Sequence, residues 1–185
     1  MYTGENRIAL QSRAWLIEAL WALMEEMPYQ KISVKGICAR ADLSRQTFYH
    51  FFNQKADILS FWVAQRYQET LLRLEKTKAV FLVEVTEILS DFFVQNRVKL
   101  RLLIAQGQEE ILRQGIAAAL SDFSRKMVST CQKKQVCSYV NAFCTGGIVQ
   151  ALICWFKEDA PLCPEKFSAL LQQLLPTLGT AWPGI

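Results

Sequence analysis

The sequence predicts an all-α protein: an N-terminal three-helix domain followed by a C-terminal helical bundle, about nine helices in total. Three observations carry this. Apolar residues recur at helical spacing along nearly the whole chain, and no strand-like alternation persists. Breakers are scarce, with 8 Gly and 5 Pro in 185 residues, while the helix formers Leu, Ala, Gln, Glu and Lys are abundant. A composition 51% hydrophobic and 21% charged builds a core and is not that of a disordered chain.

Taken in order, Arg7 to Met27 forms a first helix, with Leu16, Leu20, Leu23 and Met24 as its apolar stripe, widened by Ile17 and Trp21, and Pro28 ending it. Ser33 suits the N-cap of a short second helix reaching Ala41, although Gly36 stands where a capping box would need Glu or Gln. Ala41-Asp42-Leu43 makes a tight turn. Ser44 caps a third short helix ending near His50, and a long fourth helix runs from about Lys55 to Lys78. Five more follow: Phe81 to Gln95, Arg97 to Gln106, Glu109 to Cys131, Val136 to Lys157 and Pro164 to Leu178. No repeat or Gly/Ser linker interrupts them, and the chain divides into an N-terminal domain, residues 1–55, and a C-terminal domain, 56–185.

Charge is distributed unevenly. Between Gln30 and Lys55, Lys31, Lys35, Arg40, Arg45 and Lys55 face a single anion, Asp42; this excess equals the +4 of the whole chain. A local basic patch is the footprint of a polyanionic partner. Two short helices joined by a tight turn and backed by a longer helix form a helix-turn-helix, whose second short helix enters the major groove. That helix begins Ser44-Arg45-Gln46-Thr47-Phe48-Tyr49-His50. Arg45 and Gln46 suit guanine and adenine edges. Ser44, Thr47 and Tyr49 carry hydroxyls for phosphate, while Phe48, Phe51 and Phe52 should pack on the first helix.

The run from Lys31 to Leu59 resembles the DNA-binding region of the tetracycline-repressor (TetR/AcrR) family, with its pattern T-V-x-x-I-A-x-x-A-G-V-S-x-x-T-[FL]-Y-x-[HY]-F-x-x-K-x-x-L. Val34, Ile37, Ala41, Ser44, Thr47, Phe48, Tyr49, Phe52, Lys55 and Leu59 match it, and Leu16 to Tyr29 resembles the family's first helix. Asp42 and Pro28 depart from it where Gly is usual, and Phe51 where His or Tyr is common. The resemblance implies that residues 1–55 are a helix-turn-helix DNA-binding domain and 56–185 a ligand-binding and dimerisation domain. It implies that Thr47, Tyr49 and Lys55 meet phosphates, with Lys55 at a helix N-terminus, and Ser33 and Ser44 belong to the same expected DNA-binding set. It implies that Arg45 and Gln46 reach bases, and that His50 touches backbone or base. The stretch from Tyr139 through Trp155, with the Leu170, Leu171, Leu174 and Leu175 ladder, resembles a subgroup whose last two helices pair with their mates as a four-helix bundle. Gly147, Ala151, Trp155, Leu170, Leu174 and Leu178 are its expected interface. The family also implies a small apolar effector, for which Trp62, Phe92, Phe123 and Phe143, with Asn141 or Thr145 as a polar hook, are the candidate contacts.

The expectation is a ligand-responsive repressor that binds a double-stranded palindromic DNA operator as a homodimer, in the cytoplasm, with no cofactor. No signal peptide opens the chain. The uncharged run from Gln135 to Phe156 has the length of a membrane span, but Ser138, Asn141, Thr145, Gln150 and the Gly146-Gly147 pair suit a buried helix shared between subunits better. The six cysteines show no C-x-x-C pair and there is one His, so no metal site is expected. Two alternatives stand beside this reading. One is a thiol sensor on the same fold, using Cys137, Cys144 and Cys154; the other is a helical interaction module without an effector. Enzyme chemistry has no support, because the sole His lies in the groove-reading helix.

Overall fold

In the computed structural model, which describes residues 7–77, 92–127, 134–158, 162–163, 166–167, 169–171 and 173–174, the first apolar stripe folds as α1, Arg7–Glu26. It buries Leu16, Ile17, Leu20, Trp21, Leu23 and Met24, the residues its periodicity singles out. Pro28 cannot continue the helix, and it leads into a short 3-10 turn, Tyr29–Lys31, which the periodicity does not reveal. Ser33 then caps α2, Val34–Ala41, its hydroxyl oxygen accepting from the Gly36 amide at 3.1 Å. Ser44 caps α3, Arg45–Phe51, accepting from the Thr47 amide at 3.0 Å.

The turn between α2 and α3 is a Schellman motif. The Leu43 amide donates to the Cys38 carbonyl at 3.0 Å and the Asp42 amide to Ala39 at 3.4 Å. Asp42 therefore sits at φ 53°, ψ 45°, the left-handed region where glycine costs least. The same device ends α5, Arg97–Ala105, where Gly107 at φ 70° donates to Ile104 and Gln108 to Leu103.

α4, Lys55–Thr77, starts with a carboxylate reaching back: Asp57 accepts from the amides of Asn53 (2.8 Å) and Gln54 (3.1 Å). The chain divides into two compact units, Met1–Val63 and Ala64–Ile185. In the first, α1 packs on α2 and α3. Its core joins Leu16, Leu20 and Met24 to Ile37, Phe48, Phe52, Ile58 and Leu59. Trp21 meets Trp62 edge-on, ring centroids 5.0 Å apart.

In the second unit α6, Glu109–Met127, pairs with α7, Lys134–Lys157, and α5 packs against both. Leu100, Leu103, Ile104, Leu112, Ile116, Ile148, Val149 and Leu152 form this core. Residues 92–95 are helical, and 81–91 of that expected helix lie outside the described residues. Residues 166–167, 169–171 and 173–174 of the last expected helix are helical as well. Among the described residues there is no strand, and no helix is long and apolar enough to cross a membrane.

The Asp42 geometry yields a stability prediction. An L-residue in the left-handed region costs about 1–2 kcal/mol, less for Asp than for most, whereas Gly pays mainly in unfolded-state entropy. Asp42→Gly should therefore stabilise the protein by about 0.5–1 kcal/mol and Asp42→Val should destabilise it by about 1–2 kcal/mol. The shift of the urea midpoint at constant slope measures both; a loss of stability in the glycine variant would contradict the assignment.

Candidate nucleic-acid interface

Seven residues are too few for a helix to persist alone, so α3 is held by its neighbours. Phe48 is fully buried, and Phe52 beside it is buried too. With Phe48 facing inward, helical geometry turns Arg45, Gln46, Tyr49 and His50 outward, and all four are exposed. The Arg45 guanidinium lies 5.8 Å from the centroid of the Tyr49 ring, with Nη2 3.4 Å from the tyrosine hydroxyl. His50 stands edge-on to Phe51 at 4.8 Å.

The hydroxyls have divided roles. Ser33 and Ser44 are spent as acceptors at their helix N-termini; Ser33 keeps a proton it can donate, and Ser44 and Thr47 share one hydroxyl–hydroxyl bond that leaves one of their two protons for a partner. Thr47, half-buried, lies with its Oγ1 2.9 Å from that of Ser44. A phosphate approaching this corner thus meets ordered hydroxyls rather than freely rotating ones.

The cations are also sorted, in a way that counting cannot anticipate. Arg40 makes a two-pronged contact with Glu26, at 2.7 and 3.1 Å, joining α2 to α1 and neutralising its charge. Lys55 points inward: its ammonium donates to the carbonyls of Tyr29 (2.7 Å), Ile32 (2.7 Å) and Gln30 (3.5 Å) and lies 4.3 Å from the Tyr29 ring centroid. Burial pulls its pKa below the ordinary lysine value, and three carbonyl oxygens are the acceptors that hold the proton there. Lys55 is therefore placed as a brace between α4 and the 3-10 turn, with its three N–H donors occupied, and not as an outward ligand for phosphate. Asp57 likewise already accepts from the amides entering α4. The exposed cations of this region are Lys31, Lys35, Arg40 and Arg45, and Arg40 is the one paired with a carboxylate. Lys31 and Lys35 flank Ser33; they belong to the basic patch named above but not to its individual contact residues, and their position on either side of a helix N-cap is the signal that singles them out.

The candidate contacts of the second half separate as well. Trp62 is not in the C-terminal unit: it is buried against Trp21 in the N-terminal one. Trp155, expected at an interface, is only 3% exposed within the single chain. It stacks on Phe167 at 4.6 Å, donates from Nε1 to the Leu162 carbonyl at 2.7 Å and lies beside Arg97, so it is core. Phe143, expected to line a pocket, is 66% exposed. It belongs to a stripe on α7 with Tyr139 (77% exposed), Gly147, Gln150 and Cys154. Ala151 is half-buried, and Leu170 and Leu174 are 40% and 52% exposed. Phe92 is half-buried against the buried Phe93. Thr145 is buried, and its hydroxyl has no hydrogen-bond partner among the described residues. Leu178 and the side chains of Phe123, Asn141, Cys137 and Cys144 lie outside the described residues.

Residues 16–60 match the family model of bacterial regulatory proteins of the tetR family, and residues 82–177 match a transcriptional regulator C-terminal region. Among solved structures the chain is similar to Lin0861 from Listeria innocua, with a TM-score of 0.76, 16% identity and 96% of each chain covered. It is similar to a TetR transcriptional regulator from Streptococcus agalactiae, with a TM-score of 0.63, 16% identity, 91% of this chain and 96% of that one covered. A third is the TetR family repressor AlkX from a Dietzia strain, implicated in biodegradation of n-alkanes, with a TM-score of 0.50, 16% identity, 91% of this chain and 95% of that one covered. No match is found among curated protein sequences.

The sorting of the cations separates two kinds of mutant. Lys55→Met removes charge-assisted bonds to carbonyls and should lower unfolding free energy by about 2 kcal/mol. Lys31→Ala and Lys35→Ala should leave stability within about 0.5 kcal/mol and each flatten the salt dependence of DNA binding by about one ion. Urea unfolding and DNA titrations at several salt concentrations measure the two effects; the reverse pattern would contradict the assignment.

Proposed function

This chain belongs to the tetR family of bacterial regulatory proteins, and we propose that it acts as a homodimeric repressor, holding a palindromic operator until a small apolar molecule binds its C-terminal domain. That it is an all-helical DNA-binding transcription regulator follows from the family. The finer reading is supported chiefly by the outward face of α3, where Arg45 and Gln46 are side chains suited to base edges and Tyr49 to a phosphate, with the exposed Lys31 and Lys35 near the start of α2 suited to phosphates as well.

Dimerisation is supported by α7. Its exposed stripe of Tyr139, Phe143, Gly147 and Cys154 carries no charge, and monomers rarely leave large aromatic side chains on such a face. Gly147 has no side chain to keep a second helix at a distance, and Leu170 and Leu174 supply further apolar surface. The occupant that fits is the same face of a second copy, related by a two-fold axis. Two recognition helices then meet two half-sites, which is why the operator is palindromic.

Effector binding is supported by Thr145. A buried hydroxyl without a partner costs about 1–3 kcal/mol, and a ligand that offers it a hydrogen bond recovers part of that. In an otherwise apolar helix such a ligand is largely apolar with one polar group. Repression is the mode ascribed to AlkX, which shares this fold. α4 starts in the N-terminal unit and ends in the C-terminal one, and it is the element through which the two sites are coupled, with the cytoplasm, where bacterial DNA lies, as the place of action.

Selection from a randomised duplex library should return a two-fold symmetric site with half-sites one helical turn or a multiple apart, and light scattering should give twice the chain mass of 21.2 kDa. A monomer at micromolar concentration, or an asymmetric site, would refute the dimer. Thr145→Val keeps the volume and removes the idle hydroxyl, so it should stabilise the free protein by about 1 kcal/mol. It should also weaken the response of a reporter to added effector; a destabilised variant would show that the hydroxyl is already satisfied.

A further inference from the structure

We propose that Tyr49 is a positioning residue for Arg45, holding its guanidinium for base reading and linking that reading to the DNA backbone. The inference rests on the assignment of α3 as the groove-reading helix and adds to it a division of labour within that helix.

An exposed arginine is rotationally free, and ordering its long side chain on binding costs up to about 2 kcal/mol. Arg45 is less free than that. It opens α3, Tyr49 lies one turn further on the same face, and the guanidinium is 5.8 Å from the tyrosine ring centroid with Nη2 3.4 Å from the hydroxyl. The anchor is itself fixed. The Tyr49 ring meets Phe48 edge-on at 5.3 Å and 84°, and Phe48 is fully buried. A chain of contacts thus runs from the core through Tyr49 to Arg45.

The chemistry of the hydroxyl makes this more than packing. Arg45 donates to the tyrosine oxygen, which leaves the hydroxyl proton free to be donated to a phosphate oxygen. One oxygen then accepts from the base-reading side chain and donates to the backbone. Arg45 has five N–H donors and uses one here, so its fork can still engage a guanine edge in two places. A phosphate in the correct register would draw the tyrosine, and with it the guanidinium, into place. Positioning and reading, which are ordinarily contributed by separate residues, are joined at Tyr49.

The test is a double-mutant cycle on the full-length dimer, with the duplex selected from the randomised library and its variant at the base pair where Arg45→Ala relaxes preference. The wild type, R45A, Y49F, Y49L and R45A/Y49L are compared by the ratio of affinities for the two duplexes. Y49L should reduce that ratio by about 2–5-fold, the fold-change of an exposed cation–π contact. Y49F, which keeps the ring, should retain more than half of the discrimination. In the R45A background Y49L should leave the ratio unchanged while still weakening both duplexes alike through the lost phosphate contact. Equal weakening of both duplexes by Y49L in the wild-type background, or a loss of ratio that persists in R45A, would overturn the proposal. If R45A itself left the ratio unchanged, the groove-reading assignment of Arg45 would fall, and this inference with it. Thermal melts identify any unfolded variant; Y49F keeps the contact with Phe48, and a ratio equal to the wild type in both Y49F and a folded Y49L refutes the tether.

Discussion

The burial of Phe48 is the interaction on which the rest of the N-terminal unit depends. A seven-residue helix has almost no stability of its own. Burying a phenyl ring contributes a few kcal/mol, enough to hold such a helix against α1 and α2. The burial also settles orientation. Once residue 48 faces inward, residues 45, 46, 49 and 50 face outward, so one apolar contact decides which side chains a partner meets. The capping hydroxyls of Ser33 and Ser44, the Arg40–Glu26 pair and the Lys55 brace then fix the ends of the short helices. The two hydroxyls and Lys55 bond backbone groups at helix and turn ends, whereas the Arg40–Glu26 pair ties side chain to side chain.

The C-terminal unit follows a different logic. α7 is apolar nearly all round, with Ile148, Val149, Leu152, Trp155 and Phe156 buried on one side and Tyr139, Phe143 and Gly147 exposed on the other. A helix of this kind belongs to two surfaces, one inside its own chain and one facing outward. The buried Thr145 hydroxyl sits on the inner side, and the Lys157–Glu109 ion pair at 3.7 Å closes the end of α7 against α6.

Much of this was legible in the sequence, and what was not has physical causes. The helix class, the two N-caps and the inward Phe48 and Phe52 were readable because residue type and spacing alone determine them. The strain at Asp42 was readable from the family pattern, where that position is usually Gly. The electrostatics were not. A count assigns Arg40 and Lys55 to the basic patch, whereas Arg40 is paired with Glu26 fourteen positions earlier in the chain and Lys55 turns toward carbonyls of the 3-10 turn. Long-range pairing of this kind has no local signature. Nor could an uncharged helix announce which of its faces is buried. Trp155 and Phe143 look alike in a run without charged markers, yet the first is core and the second exposed.

Hydrogen–deuterium exchange of the protein, free and with the selected duplex, tests the central claim most directly, because it reports which backbone amides the DNA covers. The account predicts added protection in residues 33–36 and 44–50, the start of α2 and the whole of α3, and none in α5. Protection that spared residues 44–50, or that centred on α5, would show that the Phe48-anchored helix is not the one presented to DNA.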